Sequence, residues 1–412
     1  MLVLFVIYPF FAFLLSCRNL KNKLNGLIFV LFAALFGYCS SFELKTADSF
    51  RIGWSFCNVF DRKLGLLTSS YQEGTLADLY SSTIMSIVKI FTNNPKFLYL
   101  LFGLLFGILC FLSIQLIIRE RVGRNNIYFT IIMFCFFSLF SFLDIHGVRF
   151  GTALWLFFFS ATKFLIYNVR RYLIGVILSV FIHFGFFPIA ITTIIFRYFI
   201  YKESGYNMRF YMILFYLSFI MYFLLPILSL ETLVSQLIPI KGGLMETKVN
   251  AYTIANDRIG LGENTSVYRE MNNLFTNIYQ YIMQFSAFFI FRIIYKSKVV
   301  ISNSTRHLFV FCLLLYSVSN CLHGIILNGT GMRYIWLSWL FLLFLLYRIY
   351  NYNRIPSWKH VILCLPVIFF YKIAYMLINS VRMTDVILWF MNLPYIIYNG
   401  IGFTIPYGAF YG

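Results

Sequence analysis

Three ionisable groups stand within six residues at Asp144-Ile145-His146-Gly147-Val148-Arg149, in a short stretch between two apolar runs. An arginine there stays charged at any relevant pH and can make two parallel hydrogen bonds to a phosphate. Asp144 and His146 can orient that arginine or exchange a proton beside it. The plainer alternative is that Asp144 and Arg149 pair with each other as anchors at a membrane edge. A second candidate is His183, set in the otherwise apolar SVFIHFGFFPIA. A lone histidine in such a run is either a hydrogen-bonded core residue or an acid–base group.

The third feature is Asn328-Gly329-Thr330-Gly331-Met332-Arg333. Its two glycines permit a turn whose backbone N–H groups face an anion, with Arg333 beside them. The fourth is a polar segment, 43–96, carrying Glu43, Asp48, Arg51, Asp61 and Arg62. A carboxylate such as Asp48 could act as a general base on a hydroxyl, or simply solvate a loop. A later polar stretch, 231–274, sets Arg258 and Arg269 among Asp257, Glu263 and Glu270. His323 falls near the same face as His146 and His183 and could support them. The spacings of a P-loop, an HExxH zinc site and a GxSxG nucleophile are all missing, and nothing calls for a metal or a cofactor. The eight cysteines show no CxxC pair and read as small hydrophobes in helices.

The elements that must position these groups are membrane helices. Of 412 residues, 61% are hydrophobic and 11% charged. Mean hydropathy is +0.81. A soluble domain is about half apolar and about a quarter charged, so a soluble fold is excluded. Apolar runs lie at 1–16, 24–42, 97–118, 127–143, 150–168, 172–184, 186–200, 210–230, 275–295, 307–327, 334–350 and 360–378. They are continuously apolar rather than alternating, which predicts helices and not barrel strands. The expectation is an all-α, polytopic integral membrane protein, 1–412 as one domain, with about twelve spans. Segments 43–96 and 231–274 are its large external loops. The first run lacks a basic stretch before it and reads as a span, not a cleaved leader. Within 172–200, two short helices breaking near Gly185 and Pro188 suit the charges better than one long crossing. Residues 79–91 have apolar positions at helical spacing and could lie flat at the interface.

The net charge of +19 could signal nucleic acid, but its distribution points elsewhere. Loops 17–23, 119–126, 163–171, 197–209, 292–306 and 348–359 hold 19 of the 33 basic residues and only two acids, Glu120 and Glu203. That side carries +17 and the other +2. The positive-inside rule makes the first side cytoplasmic and turns both termini outward.

The stretch from Asp144 to Pro188 resembles the EpsG-like and Wzy-type bacterial polysaccharide polymerases. HGVRFGTALWLFFFSATKF is followed by the basic pair Arg170-Arg171 and then by a short helix ending in FIHFGFFP. Members show an Arg followed by a small-residue helix, which Arg149 and Ala153 match, and a later helix carrying a His, which His183 matches. Ala47-Asp48-Ser49 is the counterpart of an Asp in their first external loop. The Tyr that often follows it is replaced here by Gly53-Trp54.

The resemblance implies a glycosyltransferase at the outer face of the bacterial inner membrane, independent of metal and nucleotide. It would polymerise polyprenyl-diphosphate-linked oligosaccharides into O-antigen, capsule or exopolysaccharide. Donor and acceptor would both be lipid-linked, with a flippase and a chain-length regulator as protein partners. Arg149, Arg333 and Arg258 would bind diphosphate. His183, Asp48 or His146 would do acid–base work, with Asp144 and His323 in support. An O-antigen ligase or other polyprenyl-linked sugar transferase is the nearest alternative. A lipid-linked-oligosaccharide flippase or transporter is the non-enzymatic one.

Overall fold

The computed structural model describes residues 1–41, 48–58, 79–120, 127–143, 147–201, 206–225, 267–297, 302–325, 330–352, 356–400 and 402. Asp144, His146 and Arg258 lie outside the described residues, as does the side chain of Asp48.

The described chain is helical and has no strand; Ser40 and Thr384 form an isolated bridge. Eight helices lead up to the break at His183: α1 (Leu2–Ile7), α2 (Pro9–Ser16), α3 (Lys23–Tyr38), α4 (Asp48–Asn58), α5 (Leu79–Phe91), α6 (Pro95–Arg119), α7 (Ile127–Leu139) and α8 (Val148–Leu165). Around and after it come α9 (Leu173–Ile182), α10 (Phe187–Ile195), α11 (Met208–Leu224), α12 (Val267–Lys296), α13 (Asn303–Ile325) and α14 (Thr330–Tyr352). The chain closes with α15 (Pro356–Ile368), α16 (Phe370–Arg382), α17 (Ile387–Phe390) and α18 (Leu393–Asn399).

Asparagines start several helices by accepting a backbone N–H, as Asn22 does for α3, Asn94 for α6 and Asn207 for α11. Pro95, following Asn94, is the first residue of α6, where its missing N–H costs nothing.

Each apolar run of the sequence has described residues on a helix, and among those residues three or four of the about twelve expected spans have the length and apolarity to cross a membrane. Three described helices are long and apolar enough to cross a membrane: Pro95–Arg119, Asn303–His323 and Gly331–Asn351. Trp358–Ile368 and Phe370–Arg382, bent by 45°, make a fourth if they are one span. Five other apolar helices have only 10–17 residues. Breaks divide three of the runs: at Tyr8-Pro9, at His183–Phe186 and at Phe369. The break within 172–200 falls where Gly185 and Pro188 placed it.

Helices α3 and α6 cross closely. A Cβ on Gly37 would lie 2.1 Å from the Tyr99 carbonyl oxygen, and one on Gly103 would lie 2.4 Å from that of Ala33. Small residues at such a crossing let backbones touch, the usual means of packing helices where lipid removes the hydrophobic drive. Helix α5 packs on α6 and exposes Ile87, Ile90 and Phe91.

The six basic loops are joined at one end of the bundle. Gln115, one turn before Arg119, donates to the Leu20 carbonyl. Glu120 accepts from the Tyr167 hydroxyl and pairs with Arg348 at 3.2 Å. Arg348 also donates to Ser304 at 3.0 Å, and Arg197 donates to Asn168. At the opposite end, Asp385 N–H donates to the Cys39 carbonyl and the Tyr38 hydroxyl to that of Ile397, both at 3.1 Å.

Candidate functional site

At the end away from the basic loops, two of the candidate residues, His183 and Arg333, meet at one ring, Phe150. Arg149 and Phe150 stand on the first turn of α8, whose start follows Gly147. The imidazole of His183 meets the Phe150 ring edge-on, with centroids 5.3 Å apart and planes at 90°. The guanidinium of Arg333, on the first turn of α14, lies 5.3 Å from the same ring. Arg149 and Arg333 are both partly exposed, and His183 is 8% exposed. Three elements distant in sequence therefore meet at a single phenylalanine.

The local chain explains how His183 is held. Its backbone leaves α9 in an extended conformation, and its Nδ1 accepts the Gly185 N–H at 3.2 Å. The Gly185 carbonyl accepts the Tyr334 hydroxyl at 2.7 Å, tying this bend to the residue after Arg333. Position 185 has no room for a side chain: a Cβ would lie 2.9 Å from two His183 ring atoms and 3.1 Å from the Tyr334 hydroxyl. With Nδ1 accepting, a neutral His183 carries its proton on Nε2. That N–H suits donation to an anionic oxygen better than removal of a hydroxyl proton.

A further cation was missed in the sequence. Lys372 of α16 is 2% exposed. Its ammonium lies 4.1 Å from the Trp336 ring, 5.1 Å from Tyr375 and 5.4 Å from Phe140. Phe140 also packs on Phe150 at 5.3 Å and on Trp336 at 5.5 Å. Trp336 is one turn along α14 from Arg333. The aromatic floor of Phe150, Phe140 and Trp336 thus joins Arg333 to Lys372. Cations over ring faces gain electrostatic stabilisation that grows as water is removed. The signal for Lys372 was available, since a lysine inside an apolar run is costly and usually functional.

The remaining candidates are more peripheral to this floor. Asp48 begins α4, which is held by the Tyr99 hydroxyl donating to the Ser49 carbonyl. Lys89 of α5 lies 4.6 Å from the Phe56 ring of α4, and Tyr80 of α5 bonds Thr152 of α8 at 3.4 Å. The first polar segment is therefore linked to the helix of Arg149 through α5. His323, near the end of α13, stacks on Tyr222 at 4.6 Å. Among the described residues, no three His, Cys, Asp or Glu side chains are grouped to hold a metal ion.

The arrangement sets the guanidinium of Arg333, which cannot lose its proton, and the imidazole of His183 on one ring at a partly exposed edge, a pairing able to receive an anion. No protein-family model matches the chain, and no curated protein or solved structure matches it.

Proposed function

We propose that this chain is a membrane glycosyltransferase that polymerises polyprenyl-diphosphate-linked oligosaccharide repeat units at the outer face of a bacterial inner membrane. The observation that carries this reading is the meeting of His183 and Arg333 on the Phe150 ring, with Arg149 its neighbour in sequence on the first turn of α8 and Lys372 on the same aromatic floor. In this reading the helices make twelve crossings, several of them bent or short, and the joined basic loops face the cytoplasm.

The leaving group of such a transfer is a diphosphate anchored in the bilayer. Negative charge grows on it as the glycosidic bond breaks. Fixed cations placed at the membrane edge stabilise that charge without reorganising. Arg149 and Arg333 neutralise the phosphate oxygens, and His183 Nε2–H donates to one of them. The flat aromatic surface beside them suits the apolar face of a sugar ring. The acceptor hydroxyl must pass its proton to a base within hydrogen-bond reach.

Replacement of Arg149 with Ala tests the reading. Removing one such donor costs about 10²–10³ in rate. Long glycan is lost while the protein stays in the membrane and single repeats accumulate on polyprenyl lipid. Normal chain length in that variant refutes the site. Polymer stranded on polyprenyl lipid would instead identify a ligase.

A further inference from the structure

A second cluster of polar side chains is buried beside α13, apart from the Phe150 floor. Gln284 of α12 is 0% exposed, and neither its Oε1 nor its Nε2 has a hydrogen-bond partner. Asn320 of α13 is fully buried; its Nδ2 donates to Ser218 of α11 at 3.2 Å, while its Oδ1 is unpartnered. His323 is 9% exposed, stacks on Tyr222 of α11, and leaves Nδ1 unpartnered.

Helical register sets these groups at one level. Phe291 of α12 touches Tyr316 of α13, with ring centroids 5.6 Å apart. Gln284 is seven residues from Phe291, and His323 is seven from Tyr316. The two helices run antiparallel, so both lie two turns, about 10 Å, from that contact, in the same direction and on the same faces. Asn320 falls between. Each unpaired buried amide or imidazole costs about 1–3 kcal/mol, and folded chains carry only a few per hundred residues. Several in a single layer mark a place built for a ligand.

Among the described residues the chemistry of the layer is neutral: the carboxamides of Gln284 and Asn320, the imidazole of His323 and the hydroxyls of Ser218 and Tyr222, with no carboxylate beside them to hold a cation. Donors and acceptors mixed beside an aromatic ring match the hydroxyls of a sugar. The layer also adjoins the cationic site. Ser319, one turn from His323, donates to the carbonyl of Tyr334, the residue after Arg333. Toward the outside of the bundle stand packed rings: Phe219 meets Phe285 edge-on at 5.5 Å and lies tilted against Phe288 at 4.9 Å. Phenylalanine rings can part without breaking hydrogen bonds of their own.

We propose that Gln284, Asn320 and His323 bind the acceptor sugar, and that His323 is the base for its attacking hydroxyl. This rests on the glycosyltransferase reading. The acceptor oxygen bonds to the anomeric carbon as that carbon's bond to the diphosphate oxygen breaks. The electron pair leaves with the diphosphate, held by Arg149 and Arg333. The hydroxyl proton passes to Nδ1 of His323.

The test uses the full-length protein in its own host, deleted for the gene and complemented with wild type, His323→Phe or Gln284→Leu. The phenylalanine keeps the stack on Tyr222, and the leucine keeps the volume of the amide. Expected are polymer yields down about 100-fold or more for His323→Phe and about tenfold for Gln284→Leu. Single repeats accumulate in both. Purified in detergent, both variants melt at or above the wild-type temperature, because an unpaired buried polar group has been removed. Wild-type polymer from either variant overturns the proposal while leaving the polymerase reading intact. A deletion strain with an unchanged glycan ladder overturns that reading and this inference together. If either protein fails to accumulate, Asn320→Leu and Gln284→Met carry the same test, and normal polymer from them is equally refuting.

Discussion

Gly185→Ala perturbs the candidate site through one methyl group. The added carbon would lie 2.9 Å from two atoms of the His183 ring and 3.1 Å from the Tyr334 hydroxyl. Contacts that short cannot persist, so either the imidazole or the tyrosine must move. Overpacking of this kind costs about 1–3 kcal/mol. If the tyrosine yields, its 2.7 Å bond to the Gly185 carbonyl is lost as well, adding about 1 kcal/mol. If the imidazole yields, it leaves its edge-on contact with Phe150 and its alignment with Arg333. Misplacement of a reacting group by about 1 Å costs on the order of 100-fold in rate.

The assay pairs a thermal melt of the detergent-purified protein with the glycan ladder of the complemented deletion strain. Gly185→Ala is expected to lower the melting temperature by a few degrees and to shorten or abolish the ladder. Tyr334→Phe removes the hydroxyl but not the imidazole clash. The double variant should therefore lose less stability than the two single losses combined, because one of the two clashes is gone. Wild-type stability and ladder in Gly185→Ala would refute the argument that this bend sets His183. Strict additivity would refute the part assigned to Tyr334.

Two further outcomes test the surrounding structure. Lys372→Met keeps the side-chain length and removes a buried charge; the protein should remain folded while polymer falls about tenfold or more, the cost of losing one charge-assisted contact, measured as ladder intensity at equal membrane level. Gly103→Val should block the α3–α6 crossing, where a Cβ already meets the Ala33 carbonyl at 2.4 Å; it is expected to reduce folded protein severalfold, read by size-exclusion of the detergent extract, with no change in ladder length per folded molecule.

Much of this protein was legible from residue order. Helices arise wherever the chain is continuously apolar, because a backbone in lipid must satisfy its own hydrogen bonds. The break in 172–200 could be placed from Gly185 and Pro188, since those residues act on the backbone locally. The basic loops could be grouped from charge alone, and described residues of five of them bond to one another at one end, with the loop 17–23 tied to α6 beside them. Arg149, His183 and Arg333 stood out because an ionisable residue near an apolar run is costly wherever it lies.

Span length was less legible, because bends at Tyr8-Pro9 and Phe369 divide runs that look unbroken in composition. Lys372 was absorbed into an apolar run, since nothing in the order of residues shows Trp336, Tyr375 and Phe140 closing around it. Phe150 is one of 51 phenylalanines and carries no mark of its own. His323 could be read only as a supporting residue, because its layer depends on the register of α12 against α13.

Hydropathy, caps and helix breakers act within a few residues of the chain, and from them the sequence by itself determined a helical membrane protein and most of its charged candidates. Which face of each helix meets which neighbour is set by side-chain packing between segments hundreds of residues apart. Only the tertiary structure therefore decided that Phe150 gathers His183 and Arg333, that Lys372 shares their floor, and that Gln284, Asn320 and His323 lie level in one buried layer.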